Sequence, residues 1–149
     1  MRNVTLGMTN FKLEHTVALD TNIFICALNK RDSRHEESLQ MLEQIKEKGI
    51  KASISVLVLE EFFIRVYKQN QEQKITALLD FITIEGVVTI LDVSQQLALQ
   101  AASLRAKHPS LRTPDAIHLA SAISAGANIF ITVDKRIPRK IENLKVIVL

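Results

Sequence analysis

"VALDTNIF", residues 17–24, decides how the rest of the chain is read. Three apolar residues run into a lone carboxylate, Asp20, and residues 21–29 then follow a helical period. A short apolar strand that ends on an acid and turns at once into a helix is the opening of a β–α unit. The pattern recurs: "TVAL" (16–19) is followed by "KASIS" (51–55), "VVTIL" (87–91), "NIFITV" (128–133) and "KVIVL" (145–149), all with little polar alternation. Strands apolar on both faces belong in a mainly parallel sheet covered by helices on each side.

Helical segments at 21–29, 33–48, 57–69, 71–83, 95–107 and 114–125 fill the intervals. In "SRHEESLQMLEQIKEKG", Ser33 stands where a cap is needed, Glu36 lies three residues on, and Gly49 supplies the stop. Leu39, Met41, Leu42 and Ile45 form its apolar stripe. Alternating strands and helices with right-handed crossovers predict a three-layer α/β/α sandwich with a mainly parallel central sheet of about five strands. At 149 residues the chain suits one domain, assigned to 16–149, preceded by an N-terminal extension over 1–15.

Composition narrows the class. Hydrophobic residues make up 47% of the chain, too many for a disordered protein. The single cysteine, Cys26, excludes an internal disulfide and fits a reducing compartment. Residues 1–16 contain no continuous apolar stretch of the signal-peptide kind, and no apolar run approaches the ~20 residues that span a bilayer. A cytoplasmic protein without membrane contact is expected. The net charge of +3 is a mild basic balance, compatible with a nucleic-acid partner but not diagnostic of one.

The acids carry more information. Asp20 ends the first strand and Asp134 ends "NIFITVD". Glu60 and Glu61 follow the second strand in "SVLVLEEFF", and Asp115 lies in "RTPDAIHLASA", with Thr113 as N-cap and Pro114 at the first helical position. In an open parallel sheet, strand C-termini and the helix N-termini after them share one rim, where ligands bind. Taken singly, each acid has a plain structural reading as a turn residue, an N-cap or a helix-dipole partner. Taken together they repel, and a divalent cation with a preference for oxygen relieves that repulsion. The cluster predicts Mg²⁺ or Mn²⁺; no Cys/His spacing suggests zinc. Glu60 and Glu61 point about 100° apart on a helix, so only one can face the rim.

These blocks, "LDTNIF", "SVLVLEEF", "TPDAIHLASA" and "FITVDKR", occur in an order that resembles the PIN-domain ribonucleases, and among them the small VapC-type toxins of toxin–antitoxin pairs. The resemblance covers residues 16–149 and implies a metal-dependent endoribonuclease acting on RNA. By position it assigns Asp20, Glu61, Asp115 and Asp134 as the catalytic quartet, with Asp20, Asp115 and Asp134 on the metal. Asn22 and Thr132 then stand behind the acids and orient them. The resemblance also implies an antitoxin protein as partner, and a homodimer.

Arg112, Lys135 and Arg136 flank the acids and are candidates for holding RNA phosphates, with Arg139 and Lys140 further along. His118, three residues past Asp115, reads as a packed core histidine. Enzymatic and non-enzymatic rivals remain open. A phosphatase-like fold using Asp20 as nucleophile wants a second Asp two residues on, where Asn22 stands. A non-catalytic Mg²⁺-binding or RNA-binding module, or a PIN nuclease of RNA processing outside any toxin–antitoxin pair, uses the same acids.

Overall fold

The strands pair as their two-sided apolarity requires. The computed structural model describes residues 11–149 except Leu13 and Glu85. The elements run β1 (Thr16–Leu19), α1 (Thr21–Ala27), α2 (His35–Lys48), β2 (Lys51–Ser55), α3 (Leu57–Lys68), α4 (Gln73–Ile82) and β3 (Val88–Leu91). They continue with α5 (Gln95–Lys107), α6 (Thr113–Ser124), β4 (Ile129–Thr132), β5 (Lys140–Ile141) and β6 (Leu144–Val148). The strand order is β3-β2-β1-β4-β6-β5, with every pairing parallel except the antiparallel β5–β6 contact.

The pleat divides the core. On one face Val17, Leu19, Ile54, Ile129 and Ile131 pack beneath α1 to α4 with Phe24, Ile45 and Phe62. On the other, Ala18, Phe130, Leu144 and Val146 pack against α5 and α6 through Leu104, Leu119 and Ala120. The result is the three-layer arrangement read from the pattern. Phe11, from the segment read as an extension, is buried in the first of these clusters; residues 1–10 of that extension lie outside the described residues.

Three local readings differ from the structure. The sheet has a sixth strand, β5, only two residues long and turned antiparallel. Ser33 does not cap α2: the N-cap is Arg34, and the Asp32 carboxylate accepts its backbone N–H at 2.9 Å and clasps its guanidinium at 3.0 and 3.1 Å. Gly49 ends α2 as expected, in the left-handed region at φ 60°. Helix α6 starts one residue early, so that Arg112 is its N-cap and Thr113 already helical, which moves Asp115 to the third position. From there its carboxylate turns back and accepts the Arg112 backbone N–H at 2.9 Å, half of a capping box.

Candidate active site

Asp20 occupies the N-cap position of α1, yet its carboxylate makes no capping hydrogen bond. It turns instead across the sheet, where Thr132 Oγ1 of β4 donates to Oδ2 at 2.6 Å. The parallel pairing of Leu19 with Ile131 makes this reach possible, since it sets the ends of the two central strands side by side. The same hydroxyl accepts the Asp134 backbone N–H at 3.0 Å, so one threonine ties the two strand-end aspartates together. Asp20 is only 6% exposed.

Glu61 comes in from α3. Its neighbour Glu60 is exposed while Glu61 is half-buried and faces the rim, which resolves the pair. Glu61 Oε2 accepts from Thr21 Oγ1 and lies 2.8 Å from His118 Nε2. His118 is buried on α6, with Nε2 3.5 Å from Thr21 Oγ1 and 3.9 Å from Asp20 Oδ1. One ligand atom each from Asp20, Glu61 and His118 lies within 4.8 Å of the others, close enough to share one ion.

The other two acids sit in a second group held by arginines. Arg112 grips Asp115 with two bonds of 3.1 Å and reaches Asp134 Oδ2 at 3.6 Å. Arg136 donates its Nε to Asp134 Oδ1 at 2.9 Å and a second nitrogen to Oδ2. The four acids therefore form one connected network at the strand C-termini, linked through Thr132, Arg112 and His118. Lys135 is exposed beside it, and Asn22 is half-buried one residue past Thr21.

Electrostatics follow the contacts. Burial pushes the Asp20 carboxyl above its ordinary value, with the nearby His118 and the Thr132 hydrogen bond pulling only partly back. At Glu61 burial also acts upward, but the bonds from His118 and Thr21 outweigh it and the net direction is down. Burial would lower His118, whereas the Glu61 hydrogen bond and the charges of Asp20 and Glu61 carry it upward. The Arg136 clasp holds Asp134 below the usual range against a smaller opposing effect of burial. The carboxylates brought together at this rim make an oxygen-rich donor set, which fits a hard divalent cation.

Comparison with known proteins bears on what such a rim does. The PIN domain family matches residues 17–143. The chain belongs to the PIN-domain family. Its fold is similar to a toxin–antitoxin complex from Klebsiella pneumoniae, at 27% identity and TM-score 0.67, covering 87% of this chain and 95% of that one. It is also similar to VapBC2 from Rickettsia felis, a structure bound to a DNA fragment from their promoter, at 25% identity and TM-score 0.65, covering 89% of this chain and 98% of that one. A fold likeness extends to Mycobacterium tuberculosis VapC20, described as a sarcin–ricin loop cleaving toxin, at 20% identity and TM-score 0.63, covering 77% and 87% of the two chains. No curated protein matches by sequence. The VapC-type PIN resemblance read from the motifs agrees with these findings.

Two side chains of this site do not stand out in the sequence. Thr21 follows the strand-ending acid directly, and a hydroxyl at that place is the available signal. His118 is packed, as expected, but its Nε2 also reaches a carboxylate 57 residues away in sequence, which its spacing from Asp115 only hints at.

Proposed function

We propose that this chain is a Mg²⁺- or Mn²⁺-dependent endoribonuclease and the toxin of a toxin–antitoxin pair. The observation that carries the reading is the network at the C-terminal rim of a parallel sheet in a PIN-family chain that joins Asp20 and Glu61 through His118, Asp20 to Asp134 through Thr132, and Asp134 to Asp115 through Arg112. The phosphatase-like rival loses its second aspartate to Asn22.

In this reading Asp20, Asp115 and Asp134 would hold the cation, directly or through water, the last two in place of their arginine contacts, and Glu61 would complete the ring of charge. When bound, the ion supplies Lewis acidity at the phosphodiester and lowers the pKa of water. Thr132 keeps Asp20 aimed at the rim. Asp115 or Asp134 accepts the proton of the attacking water once its arginine lets go. Arg112 and Arg136, already hydrogen-bonded to those acids, are placed to transfer their donors to RNA phosphates, with Lys135 beside them. The K. pneumoniae and R. felis neighbours support a separate antitoxin partner. Among the described residues no helix is long and apolar enough to cross a membrane, which is compatible with the cytoplasmic placement we propose. A homodimer is expected as well, and sedimentation of the purified chain tests it.

The deciding assay incubates purified protein with a structured RNA and maps the ends. Internal cleavage with Mg²⁺ or Mn²⁺, stopped by EDTA and absent in Asp20→Asn and Asp115→Asn, is the expected result. Undiminished cleavage in EDTA, or in either variant, refutes the assignment.

A further inference from the structure

His118 is a buried imidazole in the middle of the acids, and the proposed chemistry gives it no task. Two roles are open to it: ligand to the cation through Nε2, or donor to Glu61 through the same atom. The geometry separates them. A histidine that ligates through Nε2 carries its proton on Nδ1 and passes that N–H to an acceptor behind it. His118 Nδ1 is buried and has no hydrogen-bond partner among the described residues. Nε2, in contrast, lies 2.8 Å from Glu61 Oε2.

Thr21 Oγ1 donates to the same oxygen. Two donors from two different elements, α1 and α6, therefore converge on Glu61 Oε2 and leave Oε1 for a cation or its water. Glu61 stands on the first turns of α3 with a side chain 29% exposed, and among the described residues these two donors are the hydrogen bonds that keep it turned inward. His118 also sits 3.9 Å from Asp20 Oδ1, within reach of both carboxylates.

We propose that His118 is a positioning residue rather than a metal ligand: its Nε2–H, with the Thr21 hydroxyl, holds Glu61 against Asp20 so that the metal centre is assembled before the ion arrives. This rests on the reading of the rim as a metal centre. It assigns a proton to His118 Nε2, the direction of the hydrogen bond and the atom of Glu61 that is left for the ion.

Three measurements test it. Long-range ¹⁵N–¹H spectra of the wild-type protein should show His118 protonated on Nε2 in the metal-free state and still so after Mg²⁺ loading; loss of the Nε2 proton on loading makes His118 a ligand and overturns the proposal. Calorimetric Mn²⁺ titration of His118→Leu should show affinity reduced about ten- to a hundredfold, the usual effect of losing a residue that orients a ligand. His118→Gln, whose side-chain amide can still donate to Glu61, should recover most of that loss. Equal losses in Leu and Gln at equal melting temperatures also overturn the proposal, as does wild-type affinity in His118→Leu. If wild-type protein takes up neither ion, the metal reading falls together with this one, whereas normal wild-type uptake with an unaffected Leu variant removes only the role of His118.

Discussion

Asp20→Asn separates a metal-binding acid from a helix cap. Asparagine matches aspartate in shape, and its carbonyl oxygen can still accept from Thr132 Oγ1, now 2.6 Å from Oδ2. The substitution removes a negative charge from a site 6% exposed and puts an amide nitrogen where Oδ1 stood, 3.9 Å from His118 Nε2. In the metal-free protein that charge is a burden, because burial raises the Asp20 pKa more than His118 and the Thr132 hydrogen bond pull it back. Metal-free Asp20→Asn, which carries no charge to desolvate, is therefore expected to be at least as stable as metal-free wild type. With Mn²⁺ the order reverses. A ligand at a hundred times its Kd adds ~2.7 kcal/mol to the folded state. At ~2–4 °C per kcal/mol for a domain of this size, the wild-type Tm rises by roughly 5–11 °C while the variant's stays put. Calorimetric melts with and without Mn²⁺ read both effects. A metal-free variant less stable than wild type by more than ~1 kcal/mol, or an undiminished Mn²⁺ shift, refutes the reasoning.

Protons and metal should compete at Asp20. Because its carboxyl is raised, the metal-free folded chain keeps that proton at pH values where the unfolded chain has lost it, so this group makes stability fall as pH rises above the ordinary value of 3.8. Mn²⁺ affinity should climb through the same window, with proton release visible when titrations are repeated in buffers of different ionisation enthalpy. Asp134, held low by Arg136, acts in the opposite sense, contributing stability that is lost as pH falls through its depressed value; Asp134→Asn should flatten the acid limb of the melting profile. Arg112→Ala should cost under ~1 kcal/mol, since the guanidinium side chain is 56% exposed, and should tighten Mn²⁺ severalfold by freeing the Asp115 carboxylate from its guanidinium. RNA cleavage in that variant should nonetheless fall, with weaker salt dependence of RNA binding. Glu60→Gln should cleave as wild type does, while Glu61→Gln loses at least about a hundredfold in initial rate; equal losses at both positions would contradict the orientation of α3.

How much the sequence reveals depends on how local the cause is. β1, β2 and β4 are legible because a parallel strand buried on both faces must be apolar throughout, as in "TVAL" and "IFIT". Strand β5 is hidden for the converse reason: two residues, Lys140 exposed and Ile141 buried, form no pattern, and only pairing with Lys145 and Leu144 makes them a strand. The N-terminus of α2 is misread because Asp32, rather than Ser33, takes the Arg34 backbone N–H, a choice set by the turn that precedes the helix. Among the site residues, the strand-end acids follow from topology, since any parallel sheet gathers such positions at one rim. The pairing of particular acids with particular cations does not. Arg112 reads as a phosphate contact, and its grip on Asp115 depends on α6 starting one residue earlier than the sequence suggests. The contact of His118 is hidden because its partner belongs to a different helix.

The bond between Thr132 and Asp20 joins residues 112 apart in the chain. A ribosome making this protein therefore exports the first acid long before the hydroxyl that aims it, and Asp134 emerges later still. Fragments ending before β4 carry Asp20, Glu61 and Asp115 but no strand on which Asp20 can lean. Completion of the rim is thus a property of strand order: the hydroxyl that ties Asp20 to Asp134 arrives only when almost the whole polypeptide has been delivered.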